Sequence, residues 1–316
     1  MIPLFNINNY KIDTSNFSHL LHDKVVTEFE KNFAEYVGAK YSCMANSASS
    51  LLFLSLLKYK TTVSIPSTIP VVVPNVIVNT GNKIRFYDDV QWVGNMYHLH
   101  DNIFDSAQEV KRNQYKNLGY DDAIMIFSFY PTKPVGSCDG GMVVSNNLEQ
   151  INYFKTMSMN GTGFSINNWE REHTTAGYKM HPNSLQAYIA NKNLKQLDKK
   201  NKVLYDICNY YNSKLGLKNN SLHLYRIKVN NNKKFIKKMK DVGIQCGINY
   251  QHCHKKRCFV KTNKELFRSE QESISTVSIP FNEKLKRKII PHKTQSSDTN
   301  VNAGNQGINA SRKTAR

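Results

Sequence analysis

No stretch of the 316-residue sequence is long and apolar enough to read as a membrane helix. The most hydrophobic segment, Ser64 to Val78, is broken by Pro66, Pro70 and Pro74 and falls short of the roughly 18 apolar residues a span needs. The opening residues MIPLFNINNYKID lack the basic-then-apolar layout of a secretion signal. Cysteines are few and without framework spacing: Cys43, Cys138, Cys208, Cys246, Cys253 and Cys258 lie in a chain too long to need stapling. They read as reduced thiols, and the chain as cytoplasmic. Acidic residues are scarce, 24 against 43 Lys and Arg, for a formal charge of +19. Clustered, such an excess would point to nucleic acid. Here it is diffuse, with Lys192, Lys195, Lys199, Lys200 and Lys202 on one presumed outer helix face. The preferred reading is a solvated basic surface suited to small anionic substrates, with no nucleic-acid partner.

What is present is a folded α/β pattern: 40% hydrophobic and 11% aromatic residues exclude disorder and fibrous repeats. Residues 23 to 37 place Val25, Val26, Phe29, Phe33, Tyr36 and Val37 at helical spacing, with Asp23 as N-cap and Gly38 as stop. Strands are expected at Tyr41 to Ala45, Thr61 to Ile65, Lys83 to Tyr87, Ile103 to Asp105, Ala123 to Phe129 and Met142 to Ser145. Between them lie helices at Ser50 to Lys60 and from the prolines to Val78. This alternation predicts a sheet with substantial parallel pairing. A long helical stretch from Asn183 to about Leu215 follows, then a β-α-β pattern over Leu222 to Val229, Lys233 to Met239 and Ile244 to Ile248. The expected division is a large domain over 1–215, a small one over 216–290, and a disordered polar tail over 291–316.

Three segments carry chemistry. Asn46-Ser47-Ala48-Ser49-Ser50 is a small-residue turn from strand to helix. The amides of a helix N-terminus, with hydroxyls beside them, suit a phosphate, although most helices are capped by such residues. Ile103-Phe104-Asp105-Ser106-Ala107-Gln108 sets an acid at the end of an apolar strand, where α/β sheets bind ligands and where helix caps also sit. Phe127-Ser128-Phe129-Tyr130-Pro131-Thr132-Lys133 runs on to Asp139-Gly140-Gly141. A lysine in a turn after a buried strand is placed to enter a cleft, where desolvation makes it a nucleophilic amine.

Read in order, NSASS, FDSAQ and SFYPTK…DGG resemble the N-S-G-T-A, E-D-A-A-Q and S-F-x-x-x-K…G-E/D-G-G motifs of the DegT/DnrJ/StrS family of sugar aminotransferases. The likeness extends to Lys24–Lys40, Gly177–Ala187, Leu222–Tyr225, Gly247–Tyr250 and Ser278–Phe281, from about residue 3 to residue 285. It implies fold-type I, a mostly parallel central sheet flanked by helices with a smaller α+β C-terminal domain, and pyridoxal 5'-phosphate as cofactor. Lys133 is implied as the amine that captures the cofactor aldehyde and shuttles a proton. Asp105 is implied as the partner of the pyridine nitrogen, and Gln108 as a neighbour of the ring hydroxyl. Ser49, the amides of Ala48 to Ser50 and Ser128 would bind the phosphate. The family works as a homodimer with shared active sites, so Lys179 of one copy is expected to reach the phosphate held by the other. The implied reaction moves an amino group, from L-glutamate, to a keto group of a nucleotide-linked sugar. The alternative is a degenerate relative that serves as a binding or regulatory module.

The sequence departs from the family at several places. The aromatic residue that covers the cofactor ring is replaced by Pro70 or its neighbour Ile69, a loss of about 1 kcal/mol of stacking. His181 stands where the family has Arg. Between Tyr87 and Asp105 only a short connector remains where the family carries more than one further βα unit, so the chain reads as trimmed over 88–104. His252, Cys253, His254 and Cys258 are closely spaced, but Lys255, Lys256 and Arg257 among them oppose a cation, and no metal site is expected. His98 and His100 read as surface residues, and Trp92 and Trp169 as packing.

Overall fold

The computed structural model describes residues 1–21, 23–163, 170–259 and 265–285; Trp169 and the 291–316 tail lie outside them. Helix α1 (Lys24–Val37) starts where Asp23 accepts a hydrogen bond from the Val25 amide at 3.1 Å, and ends at Gly38 with φ 78°. Its apolar stripe brings Phe33 edge-on to Phe127 and Phe129, with ring centroids at 4.9 and 5.3 Å. Elements then alternate: β1 (Tyr41–Ala45), α2 (Ala48–Leu57), β2 (Thr62–Pro66), α3 (Val72–Asn79) and β3 (Lys83–Tyr87). After them come β4 (Tyr97–His100), β5 (Ile103–Asp105), β6 (Ile124–Ser128) and β7 (Gly141–Ser145).

The central sheet has the order β1-β7-β6-β5-β4, with β2 and β3 forming a separate parallel pair. Its pairing is more mixed than the alternation suggested: β5/β6 is parallel, while β1/β7, β7/β6 and β5/β4 are antiparallel. Because successive strand residues face opposite sides, one sequence register serves two cores. Cys43, Ala45, Ile124, Ile126 and Val143 pack with Leu51 and Leu54 of α2, Ile77 of α3, and Ile151 and Phe154 of α4 (Leu148–Ser158). Met44, Met125, Phe127, Met142 and Val144 pack with α1 and with Ala187 and Ala190 of α5 (Ser184–Leu194). The sheet is thus covered on both faces, as α/β architecture requires.

The 88–104 connector is where the fold differs most from expectation. It contains β4, which folds back on β5 around Asp101 and Asn102, with Asp101 at φ 51°. An antiparallel neighbour needs only a short turn, whereas a parallel one needs a crossover of a dozen residues or so. The short segment closes this edge of the sheet by the cheaper route.

The expected long helix is two, α5 and α6 (Leu197–Leu215), interrupted at Lys195 and Gln196. Beyond it, β8 (Tyr225–Lys228) pairs antiparallel with β9 (Thr276–Ile279), flanked by α7 (Asn232–Asp241) and α8 (Phe267–Ser275). Ile244 to Ile248, read as a strand, makes only isolated bridges, Ile244 to Ile2 and Gly247 to Ser278. Leu204, Ile207 and Cys208 of α6 share a core with Tyr225, Phe281 and Leu285.

Candidate active site

Strand register assembles the site. Gly141 at the start of β7 lies opposite Ala45 on one side and Ser128 on the other, and Ile126, two residues before Ser128, lies opposite Asp105. The ends of β1, β6 and β5 therefore share one edge of the sheet, where α/β folds bind ligands. Neighbouring strands are about 4.8 Å apart and two strand residues rise about 6.8 Å, so the Asp105 backbone is roughly 8 Å from that of Ser128 and roughly 12 Å from that of Gly141. That span suits one substituted ring.

At the corner, Ser47 caps α2. It accepts from the Ser50 amide at 3.2 Å, and the Ser50 hydroxyl donates to Asn46 Oδ1 at 2.7 Å. Ser50 is thus engaged inside the cap. The first-turn amides of Ala48 and Ser49, with the half-exposed Ser49 hydroxyl, remain to face an anion. A Cβ on Gly141 would stand 2.5 Å from the Ala48 nitrogen, so glycine alone lets β7 and the helix start meet. Ser128 is buried and accepts from the Tyr130 amide at 3.3 Å.

Asp105 is 5% exposed. Oδ1 accepts from the Ala107 amide at 2.9 Å and Oδ2 from the Tyr97 hydroxyl at 2.9 Å. Burial raises its pKa, and these donors and the charge of Lys133 oppose the rise. Lys133 mirrors it: burial of the amine lowers its pKa to about 8, with Asp105 pulling the other way. The two groups therefore feel one another without an ion pair among the described residues. Gln108, 3% exposed, accepts from the Gly94 amide at 3.1 Å, which leaves its amide N–H groups as donors. Lys133 also borders a cavity of about 510 Å³ walled by Tyr10, Ser137, Cys138, Asn193 and Lys199; Asp105 is not on that wall.

Of the two candidates for the ring face, Ile69 is buried and its carbonyl accepts from the Cys253 thiol at 3.5 Å, while Pro70 is half-exposed ahead of α3. Lys179 is exposed, its backbone bridged to Met159. The His/Cys cluster has other partners. His254 joins Ser67 at 2.6 Å and Glu270 at 3.1 Å, and His252 meets Ser273 at 2.9 Å. No group of three or more His, Cys, Asp or Glu among the described residues is placed to hold a metal ion. His98 is exposed, His100 packs edge-on to Tyr59 at 4.9 Å, and Trp92 is buried.

Three residues escaped the sequence reading. Tyr97 contacts Asp105, and the alternation Tyr97-His98-Leu99-His100 was a strand signal inside a segment read as a connector. His223 is buried beside the amine: burial and the charges of Lys133 and Lys200 push its pKa well below the usual value, so it is neutral. Tyr250 lies within electrostatic reach of Asp105. Nothing in a single sequence brings residues 223 and 250 to this edge.

The residues fit pyridoxal 5'-phosphate. A desolvated amine, a buried carboxylate with both oxygens oriented, and a helix start opened by Gly141 match an aldehyde, a ring nitrogen and a phosphate. The wider comparisons agree. The model of the DegT/DnrJ/EryC1/StrS aminotransferase family matches residues 89–292. A UDP-4-amino-4,6-dideoxy-N-acetyl-beta-L-altrosamine transaminase of Campylobacter jejuni is 25% identical over 282 aligned positions, covering 70% of this chain and 74% of the relative. Among solved structures, Helicobacter pylori PseC, an aminotransferase of pseudoaminic acid biosynthesis, superposes with TM-score 0.71 at 18% identity, covering 89% of this chain and 94% of its own. Spr1654 from Streptococcus pneumoniae in its PLP-form gives TM-score 0.74 at 15% identity over 91% and 95%. The last two establish the fold, that of fold-type I aminotransferases. No helix among the described residues is long and apolar enough to cross a membrane.

Proposed function

Because the chain belongs to the DegT/DnrJ/EryC1/StrS aminotransferase family, we propose that it moves an amino group from L-glutamate, by way of pyridoxal 5'-phosphate, to a keto group of a nucleotide-linked sugar. The observation that carries this reading is the pairing of Lys133 with Asp105: an amine whose pKa burial lowers to about 8, within electrostatic reach of a buried carboxylate. The diffuse charge of +19 favours a diphosphate-bearing acceptor, and the UDP-sugar transaminase among the relatives supports that class.

When bound, the cofactor supplies an aldehyde that holds amino groups and a ring that accepts the electron pair left on the substrate carbon. The protein does the rest. Lys133 Nζ, partly neutral near pH 8, would be the amine that holds the aldehyde and the base that carries a proton to and from the substrate carbon. Asp105 would hold a proton on the ring nitrogen, which would make the ring the better electron acceptor. The Ala48 and Ser49 amides, Ser49 and Ser128 would fix the phosphate, and the Gln108 amide would donate to the ring hydroxyl. In a homodimer, Lys179 of a second copy adds a cation at the phosphate.

The shortened 88–104 segment and Pro70 at the ring face favour a second reading, a relative that keeps the cofactor without turnover. One assay separates them. The cofactor-loaded protein is incubated with L-glutamate and a panel of nucleotide keto-sugars, and 2-oxoglutarate is measured against Lys133→Ala. Product that depends on both a sugar and Lys133 supports transamination. Cofactor bound through Lys133 with no product from any pair would establish the second reading.

A further inference from the structure

In the segment that distinguishes this chain, β4 is antiparallel to β5 and its register sets Tyr97 directly across from Asp105. The Tyr97 hydroxyl donates to Oδ2 at 2.9 Å while the Ala107 amide donates to Oδ1 at 2.9 Å. Tyr97 is 8% exposed and Asp105 5%, so water does not serve as a substitute donor. Trp92 backs the phenol, with ring centroids 4.5 Å apart at 55°, and limits its rotation.

We propose that Tyr97 is a positioning residue whose phenol holds the Asp105 carboxylate ionised and in one orientation for the cofactor's ring nitrogen. Two side chains act on this carboxylate, Tyr97 from β4 and Lys133 from the turn after β6, and Tyr250 from the segment before α8 lies within electrostatic reach of it. Tyr87 on β3 and Tyr250 both lie within electrostatic reach of Tyr97. Lys133 is the amine that would hold the aldehyde, so its charge is not a constant support. Tyr250 is a buried phenol that stays protonated, so it brings no charge to Asp105. The Ala107 amide holds a single oxygen and leaves the other free to turn. Tyr97 takes no part in the reaction, and burial beside a carboxylate keeps its hydroxyl protonated as a donor. Its removal leaves a buried acceptor with one donor fewer, which favours protonation of Asp105 and loss of its hold on the ring nitrogen. The trimmed segment thereby supplies a support for the cofactor while dispensing with whole βα units.

The proposal rests on cofactor binding and on neither the amino donor nor the sugar, so failure of the glutamate assay leaves it standing. Cofactor-free protein is titrated with pyridoxal 5'-phosphate between pH 5.5 and 8, following intrinsic fluorescence, for the wild type, Tyr97→Phe and His98→Ala. His98 lies on the same strand with its side chain exposed. Tyr97→Phe is expected to raise Kd about tenfold and to move the acid limb of the affinity profile to higher pH, with His98→Ala unchanged. Wild-type affinity with an unmoved acid limb in Tyr97→Phe overturns the assignment. An equal loss in His98→Ala also overturns it, since the effect then belongs to the hairpin. If Tyr97→Phe does not fold, replacement of Tyr97 by 3-fluorotyrosine decides. It keeps every atom of the contact and strengthens the donor, and must shift the acid limb to lower pH; no shift overturns the proposal.

Discussion

Among the described residues, two buried carboxylates are driven toward the neutral form by burial, a shift that a lysine opposes. Glu30 on α1 and Asp105 at the end of β5 are alike in that respect. Glu30 is closed off: Oε1 accepts from the Met44 amide at 2.7 Å, and Oε2 meets Lys155 at 3.5 Å, with the ammonium half in solvent. Asp105 has its two donors, yet its lysine stands apart and itself suffers the desolvation. One pair is complete as it stands and ties α1 to β1 and α4. The other has no ion pair between its charges among the described residues. A closed pair is structural; an open pair, in which both partners bear the cost of burial, marks where chemistry is done.

The largest test removes the open pair's cation. Lys133→Met is expected to lower transamination by at least about 10³-fold while raising Tm at pH 7. The sign follows from the lowered pKa of about 8 against an ordinary 10.5: the folded state binds the proton less readily than the unfolded chain. Its penalty is complete below pH 8 and disappears as pH rises past 10.5. Calorimetry at pH 7 and pH 10 checks it, and a variant less stable than wild type at both would refute the desolvation argument. Asp105→Asn comes next, with a loss of about 10² or more in turnover. Substitution at Glu30 should leave turnover unchanged, and equal losses at both positions would erase the contrast.

The same contrast explains what the sequence made legible. The strand ends with Ala45, Asp105 and Ser128 could be read because local patterns determine them: apolar runs of odd and even parity, small residues at a helix start, an acid and a lysine after buried strands. The Asp23 cap and the Gly38 stop are equally local. The β4 hairpin was missed since its strand is short and bears two histidines, and since likeness to longer relatives presents the segment as a deletion. Ile244 to Ile248 read as a strand on composition but finds only single bridges, because β9 pairs with β8. His223 and Tyr250 reach the site through the packing of the C-terminal elements, a long-range outcome that no local pattern encodes.

Between the two acids in expected effect lies the phosphate corner. In Gly141→Ala the new Cβ would come within 2.5 Å of the Ala48 nitrogen and 2.6 Å of its Cα, both backbone atoms that cannot swing aside. The start of α2 must shift away from β7, at about 1–3 kcal/mol of stability and about tenfold in cofactor affinity if the amides there hold the phosphate. Inorganic phosphate measures the second effect separately. Competition by phosphate should weaken in the variant in step with the cofactor, and a cofactor loss with unchanged phosphate competition would move the anion site elsewhere.

The smallest effect belongs to the closed pair. Glu30→Gln keeps the shape and the acceptor for the Met44 amide, and removes a charge whose burial raises its pKa above 4.5. A carboxylate with a raised folded-state pKa takes up its proton in the folded chain first. Its charge therefore costs stability above the folded pKa, and that cost fades as pH falls toward 4.5 and below. The neutral variant should gain at pH 7, by no more than about one or two degrees in Tm because the Lys155 attraction is forfeited, and the gain should vanish by pH 4.5. Thermal melts across that range decide the point. A variant that loses several degrees at pH 7 would mean that the ion pair with the half-exposed Lys155 outweighs the desolvation of Glu30. The two buried acids would then differ in the strength of their lysine partners and not in whether the pair is closed.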